Sequence, residues 1–455
     1  MVDASIEVAA LHELETLLDA LIPSFRWSKD SSLKLERIEA LVERLDNPQS
    51  EYRTVHVGGT SGKGTISAMV ASILSHHGYR TGLHLSPYVQ TLTETWQIDG
   101  RYLLPTQVLP MVRTVINVAA PISTELLFGA VSYFETKVAT AFALFAQEHV
   151  DIAVIEVGLG GALDATNVLG SGVQILTNVS LDHTEILGDT VEKIATDKVE
   201  IFKPDSFVLS GVVQPSVKNI ARRKAAAVKA DLWILDDDIA YHSENDVLDI
   251  ELPSGRLTVD VPRDWPDYQR RNAALATIAA CHVEPTVSPA TISGALRAVH
   301  LPARFERFVE RGRPIVLDGA HNPEKMRSTV RQVQASYPGM SCVGVLALKE
   351  DKDVRSVLSE FSTICRSIIL TTFTAGLWKP LDPEGLAASL RELGFGGAIA
   401  VDPDPRAAVE AALNQATEGD VVVVTGSLYL AGNVRSRWIP SDEDLLHGSS
   451  YELDT

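Results

Sequence analysis

Positive charge is scarce in this chain. Forty lysines and arginines stand against 59 acidic residues, a formal net charge of −19. That balance excludes an extended nucleic-acid surface, which needs a basic face to neutralise phosphates. Any anionic ligand must meet positive charge concentrated at one place. Cysteine is scarcer still: only Cys281, Cys342 and Cys365, widely spaced. Three such residues give no disulfide framework and no metal-ligand spacing, and they suit a reducing compartment. No apolar run reaches membrane-spanning length. The N-terminal stretch with Leu11, Leu14, Leu17, Leu18 and Leu21 is amphipathic and acidic, unlike a signal peptide. Repeats and low-complexity tracts are absent. A cytoplasmic protein is expected, with no membrane or nucleic-acid partner. What remains is 455 residues, 45% of them hydrophobic, enough for two or three domains with sizeable cores.

The pattern along the chain is alternating. Residues 1–50 read as helices, the second over Lys34 to Leu45. From 53 onward, strands at 53–57, 80–85, 152–157, 173–179 and 206–212 alternate with helices at 65–77, 105–119, 134–148 and 189–202. Such alternation predicts an α/β fold with a mostly parallel sheet covered on both faces. Residues 231–262 break it with short extended runs around Pro253-Ser254-Gly255, which predict a small antiparallel hairpin insert. Two helices follow. Near Leu301 the alternation restarts and continues into a second α/β unit. The expected domains are 1–301 and 302–455, with the last dozen residues polar and loose.

The most informative stretch is Val55-His56-Val57-Gly58-Gly59-Thr60-Ser61-Gly62-Lys63-Gly64-Thr65. A β-branched run enters a glycine-rich turn that opens a helix, closed by Gly78. Backbone N–H groups of such a turn converge, and the helix N-terminus adds positive potential. Gly59, Thr60, Ser61, Gly62 and Gly64 therefore form a cradle for nucleotide phosphates. Lys63 supplies a point charge, and Thr65 stands where it can reach Mg²⁺. The alternative is an ordinary tight strand-to-helix turn, which four glycines around one lysine disfavour.

Other candidates are weaker alone. Glu135 opens the helix 134–148, where an acidic residue complements the helix dipole or could serve as a metal ligand. Ile155 to Asn167 is a strand ending in a glycine turn, with Asp164, Thr166 and Asn167 beyond it. Strand ends of this kind are where α/β sheets hold ligands. His183, in Leu181-Asp182-His183-Thr184, follows another strand end and is either an ordinary loop histidine or a ligand. In the helix 189–202, with Asp189 and Glu192 as its capping box, Lys198 falls amid the apolar stripe Val191, Ile194, Ala195, Ile201 and Phe202. A half-buried lysine has a lowered pKa. Its neutral amine can add CO₂ to give a carbamate, a carboxylate-like metal ligand. In the second unit, Asp318 and His321 follow a strand in Asp318-Gly319-Ala320-His321-Asn322-Pro323, and Arg304 lies at the domain junction.

Together these motifs resemble the Mur ligase superfamily, most closely the folylpolyglutamate synthase/dihydrofolate synthase family. The resemblance spans nearly the whole chain, in order: "GTSGKGT", "SYFE", "EVGLGGALDATN", "LDHTEILGDTVEKIATDKVEIFKP", "YQRRNAALA", "PARFE", "DGAHNP", "DKD" and "TGSLYLAG". It implies a P-loop ATPase domain with a mostly parallel sheet, plus a smaller Rossmann-like C-terminal domain. It implies that Lys63 and its loop hold ATP, that Thr65 and Glu135 bind one Mg²⁺ and that His183 binds a second. Lys198 matches the family's carbamylated lysine. Gln269, Asn272 and Arg304 match nucleotide-side residues, and Asp318 and His321 match second-domain nucleotide contacts. Ser86, Tyr88, Asp164, Thr166 and Asn167 fall on the substrate side. The implied reaction is ATP-dependent ligation of L-glutamate to a pterin-type acid through an acyl phosphate, by a monomer.

Several positions depart from the family pattern. Ser61 stands for a common Asn, Ala162 for Arg and Tyr88 for His. Glu94-Thr95 stands for an expected "ER" pair. Most departures fall on the acceptor side. A divergent ligase with another carboxylate acceptor, or a nucleotide-binding regulator without turnover, stays open on sequence alone.

Overall fold

The computed structural model describes residues 3–22, 35–125, 129–350, 352–374 and 379–453. The chain divides into two compact units. The first takes the chain up to Tyr88, then Leu92–Val299 and the residues from Leu445 on; the second takes Val89–Thr91 and His300–Asp444.

The strands of the first unit are β1 (Arg53–Gly58), β2 (Thr81–His84), β3 (Trp96–Ile98), β4 (Arg101–Tyr102), β5 (Ile152–Glu156), β6 (Val173–Leu176), β7 (Phe207–Ser210) and β8 (Asp231–Ile234). They form one sheet in the order β4-β3-β2-β5-β1-β6-β7-β8. From β2 to β8 all pairings are parallel, while β3 and β4 extend the β2 edge antiparallel. The parallel strands β5, β6 and β7 are buried along their whole length, because helices cover both faces. Register sets Val57 beside Glu156 and Gly58 beside Leu176. The carboxyl ends of β5, β1 and β6 therefore open together, the position where such sheets bind ligands.

Helices account for the rest of this core. Lys63–His77 packs against the sheet and is closed by Gly78, whose φ of +114° only glycine adopts readily. Ala4–Asp19 and Leu35–Arg44 pack Leu14, Leu18, Ile38 and Leu41 into a cluster with Trp96, Phe142 and Phe145. Lys34, expected to open the second of these helices, lies outside the described residues.

Three expectations change. The segment 231–234 is not part of an insert: it pairs parallel with β7. The insert is a three-stranded antiparallel sheet of β9 (Tyr241–Glu244), β10 (Val247–Leu252) and β11 (Gly255–Asp260). The C-terminal stretch is anchored rather than loose. After the helix Ser441–His447 the chain bridges Arg101 through Ser449 and Val299 through Tyr451. Tyr451 is fully buried, and its hydroxyl shares hydrogen bonds with Ser75 Oγ (2.9 Å) and Thr81 Oγ1 (2.7 Å). The residues from Leu445 on thus belong to the first unit, not to a domain running 302–455.

The second unit holds β12 (Glu306–Glu310), β13 (Arg313–Leu317), β14 (Ser341–Leu346), β15 (Cys365–Leu370), β16 (Ala398–Val401) and β17 (Asp420–Thr425). Their order is β12-β13-β17-β14-β15-β16, with only β12 antiparallel. Strand residues alternate between two cores. Val343, Val345, Val422 and Val424 enter one, and Leu346, Ile368, Val421 and Val423 enter the other, as the two-residue period of a strand requires. No described helix is long and apolar enough to cross a membrane.

Candidate active site

The glycine loop leaves β1 and is held from the end of β6. Asn178 accepts from the Ser61 N–H (2.8 Å) through Oδ1 and from the Thr60 N–H (3.0 Å) through its carbonyl. Thr177 Oγ1 donates to the Ser61 carbonyl (2.7 Å). Gly62, at φ +81°, is the N-cap of the helix Lys63–His77, and no side chain caps that end. The first-turn N–H groups there are available to an anion. A Cβ on Gly62 would stand 2.9 Å from Asn272 Oδ1, so Asn272 lies against the loop. Gln269, three residues earlier on the helix Asp267–Val283, shares its face.

Glu156, to which sequence reasoning assigned no role, ends β5 beside this loop. Its Oε1 lies 4.0 Å from Lys63 Nζ, and its Oε2 accepts from the Ser86 N–H at 2.9 Å. It is 5% exposed. The available signal was a carboxylate closing an otherwise apolar strand. Thr65 is buried in the first turn of the helix that follows the loop. Glu135, expected beside Thr65, is engaged elsewhere through both oxygens. Arg37 Nε donates to Oε1 (3.0 Å) and Oε2 (3.2 Å), and the Ser132 N–H donates to Oε2 (2.7 Å) in a capping box. Its carboxylate is a buried structural anchor, and Glu156 is the acid at the loop.

The glycine turn after β5 is tied by its own polar tips. Asp164 accepts from the N–H groups of Leu159 (2.8 Å) and Thr166 (3.0 Å) and from the Thr166 hydroxyl. Thr166 Oγ1 in turn accepts from His56 Nε2 (2.8 Å). Burial raises the pKa of Asp164 and lowers that of His56 to about 3, so this histidine is neutral. Asn167 donates to the Ala162 carbonyl (3.1 Å) and accepts from Lys203 Nζ (2.9 Å). Asp164, Thr166 and Asn167, expected to meet substrate, thus shape the turn through their side chains.

A Cβ on Gly161 would lie 2.8 Å from Lys198 Cα, so only glycine lets the next helix approach this turn. That helix is Val191–Lys198, shorter than expected. Thr190 caps it by accepting from the Lys193 N–H. Asp189 instead pairs with Lys193 (2.8 Å), and Glu192 accepts from Ser216 (2.7 Å), so the expected capping box is absent. Lys198 lies on the buried face with Ile194 and Ala195, 5% exposed, and its Nζ donates to the Gly59 carbonyl at 2.9 Å. Burial first, then the charge of Lys63, lowers its pKa to about 7, against the pull of Asp197, Asp182 and Asp164.

His183 is the left-handed N-cap of a single helical turn, Thr184–Leu187, at φ +49°. Its Nε2 lies 4.0 Å from Asp182 Oδ1 and its Nδ1 3.8 Å from Glu185 Oε1. Such a backbone at a non-glycine residue persists where surroundings hold it, often at functional sites. Among the described residues no three His, Cys, Asp or Glu side chains gather as a metal cage. One or two protein groups completed by phosphates and water is the arrangement Mg²⁺ accepts and soft metals do not.

In the second unit, Asp318 accepts from Thr329 Oγ1 (2.6 Å) and from the N–H groups of Ala320 and Phe305 (both 3.0 Å). Burial raises its pKa, partly offset by these bonds and by Arg304. His321 Nδ1 donates to the Gly319 carbonyl (2.8 Å), and its Nε2 accepts from Lys325 Nζ (3.2 Å). Arg304 is exposed.

Comparison with known proteins gives one answer. Residues 57–280 match the Mur ligase middle domain and residues 303–428 the Mur ligase, glutamate ligase domain. The chain is 30% identical to the dihydrofolate synthase/folylpolyglutamate synthase of Mycobacterium tuberculosis, covering 94% of each. Its fold matches the Mycobacterium tuberculosis folylpolyglutamate synthase complexed with ADP at a TM-score of 0.86 and 29% identity, over 95% of this chain and 98% of that one. It also matches the bifunctional enzyme from Yersinia pestis complexed with AMPPNP and Mn ion, at a TM-score of 0.81 and 27% identity, over 94% and 97%.

Proposed function

The chain belongs to the folylpolyglutamate synthase/dihydrofolate synthase family of Mur ligases, an ATP-dependent ligase family, and we propose that it joins L-glutamate to dihydropteroate, a reduced folate, or both. In the first step a carboxylate oxygen of the acceptor attacks the γ-phosphorus of ATP. The bond from that phosphorus to the bridging oxygen breaks, ADP leaves, and an acyl phosphate forms. The amine of glutamate then attacks the acyl carbon, and the tetrahedral intermediate collapses to the amide with loss of phosphate and a proton. The protein contributes position and electrostatics rather than covalent chemistry.

The observation that carries this reading is the gathering of Lys63, Glu156 and Lys198 around one glycine loop, with Lys63 and Glu156 4.0 Å apart and Lys198 bonded to Gly59. Lys63 and the loop N–H groups hold the phosphates. Thr65 and Glu156 fit one Mg²⁺. His183 and a carbamate on Lys198 fit a second, since a lysine with a pKa near 7 is half neutral amine at that pH and can add CO₂ with loss of a proton. Bound metal would neutralise charge on the transferring phosphoryl group. Gln269 and Asn272 are proposed on the nucleotide side, as are Arg304, Asp318 and His321 from the second unit. Ser86 and Tyr88 are proposed on the acceptor side. A cytosolic monomer is proposed, and light scattering of the purified protein checks its mass.

The test is to offer dihydropteroate and tetrahydrofolate with L-glutamate and measure ADP and amide product. Product with either supports the reading. No product with both, alongside turnover on another carboxylate, reassigns the protein as a divergent ligase, the reading favoured by Ala162, Tyr88 and Thr95.

A further inference from the structure

The helix Tyr133–Gln147 buries a lysine whose ammonium faces aromatic rings and, among the described residues, no hydrogen-bonding partner. Lys137 is 3% exposed, and its ammonium lies 5.2 Å from the ring centroids of Tyr88 and Tyr133 and 5.9 Å from that of Trp96. Trp96 is fixed there by its Nε1–H, which donates to the Lys137 carbonyl at 3.1 Å. Among the described residues Lys137 Nζ makes no hydrogen bond or ion pair; the charge of Glu94 acts on it only at longer range. His84, 0% exposed, lies close enough for the Lys137 charge to act on it, with its ring against Phe134. Its Nδ1–H donates to the Thr95 carbonyl (3.1 Å), which makes Nε2 an acceptor, and that buried Nε2 has no partner among the described residues.

Buried polar groups in native proteins are hydrogen-bonded almost without exception, and each orphan calls for an explanation. Here the His84 acceptor is orphaned, and the nearby Lys137 ammonium is held by ring faces alone. The location is informative. Phe134 presses on Gly158, just beyond Glu156, and Tyr88 follows Ser86, whose N–H binds Glu156. Lys137, His84 and their aromatic neighbours therefore adjoin the loop site through two chain segments.

We propose that Lys137 and His84 determine acceptor specificity by reading a donor–acceptor edge of a planar ring: a carbonyl-type oxygen received by Lys137 and a ring N–H received by His84. Tyr88, Trp96 and Tyr133 select for planarity and exclude water. This rests on the ligase reading above and names the part of the acceptor that is recognised. A lactam edge has this pattern. An amino group in place of the carbonyl reverses it.

The experiment compares wild type with Lys137→Met, which keeps the volume and removes the donor. Dihydropteroate binding is measured by calorimetry with a non-hydrolysable ATP analogue, and turnover is followed separately. Loss of one charge-assisted hydrogen bond weakens the acceptor roughly ten- to hundredfold. The expected result is that rise in acceptor Kd and KM, with ATP affinity unchanged and Tm equal or higher, since an unpaired buried ammonium has been removed. Wild type should also prefer the 4-oxo ring to its 4-amino analogue, and the variant should lose the preference. Unchanged acceptor affinity in a folded Lys137→Met protein, or a lower Tm with no change in ring preference, overturns the proposal. Binding that depends on Lys137 without any glutamylated product upholds it while defeating the ligase reading. Product formation indifferent to Lys137 does the reverse. A wild type that binds neither ring defeats both.

Discussion

Lys198 Nζ donates to the carbonyl of Gly59 at 2.9 Å, joining a buried helix face to the phosphate loop. That bond and burial hold the lysine ready beside Lys63, whose charge helps lower its pKa to about 7. Activity should therefore depend on CO₂. In CO₂-depleted buffer turnover should fall and return with bicarbonate. Recovery should be stronger at pH 8 than at pH 6, because the reactive neutral amine predominates only above pH 7. Lys198→Ala should be nearly inactive and partly rescued by a short carboxylic acid. Activity indifferent to bicarbonate at both pH values would count against the carbamate.

The same pKa makes a stability prediction. Between pH 7 and about 10.4 the unfolded chain keeps a proton on Lys198 that the folded protein has released. The unfolded state then binds more protons, so this group's contribution to stability rises with pH across that window. Its burial penalty is fully present below pH 7. Lys198→Met should raise Tm more at pH 6 than at pH 9, measured by calorimetry in CO₂-free buffer.

Glu156 and Glu135 should separate cleanly. Glu156→Gln should lower kcat by about a hundredfold or more, with a higher Mg²⁺ requirement, and leave Tm nearly unchanged. Glu135→Gln breaks a buried pair with Arg37 and should lower stability by roughly 3 kcal/mol or more. Its surviving activity should show the wild-type Mg²⁺ dependence. Mg²⁺ titrations of both variants with Tm measurements decide; a metal defect in Glu135→Gln alone would reverse the assignment.

Lys63→Ala should abolish turnover and weaken ATP binding by one to two orders of magnitude, since a charge-assisted contact worth about 1.5–3 kcal/mol is lost. Nucleotide binding measured by calorimetry checks this independently of chemistry.

The anchored C-terminus can be tested by stability. Tyr451→Phe leaves Ser75 and Thr81 without the phenolic partner and should cost about 1–3 kcal/mol. Tyr451→Ala should cost roughly 3–5 kcal/mol by opening a cavity. Denaturant unfolding of both would expose a dispensable tail as no change in midpoint.

Local patterns were enough for much of this molecule. The alternation of apolar runs marks the parallel strands, and the glycine loop with its Gly78 stop marks the first site helix. The apolar stripe around Lys198 places that lysine inside, because one helical turn repeats every 3.6 residues wherever the helix lies. Motif order along the chain carries the family. These signals are written within a few turns of backbone.

The remainder needed the fold. Glu135 meets Arg37 across 98 residues, and Lys198 meets Gly59 across 139. Which carboxylate faces Lys63 is set by β5 lying beside β1, a pairing that no local window contains. The same holds for strand 231–234, whose parallel partner is β7, and for Tyr451, whose pocket is built from Ser75 and Thr81. Local propensity decides what a segment forms. Which distant polar group it then satisfies is decided by sheet order and by the cost of burying a donor or acceptor unpaired.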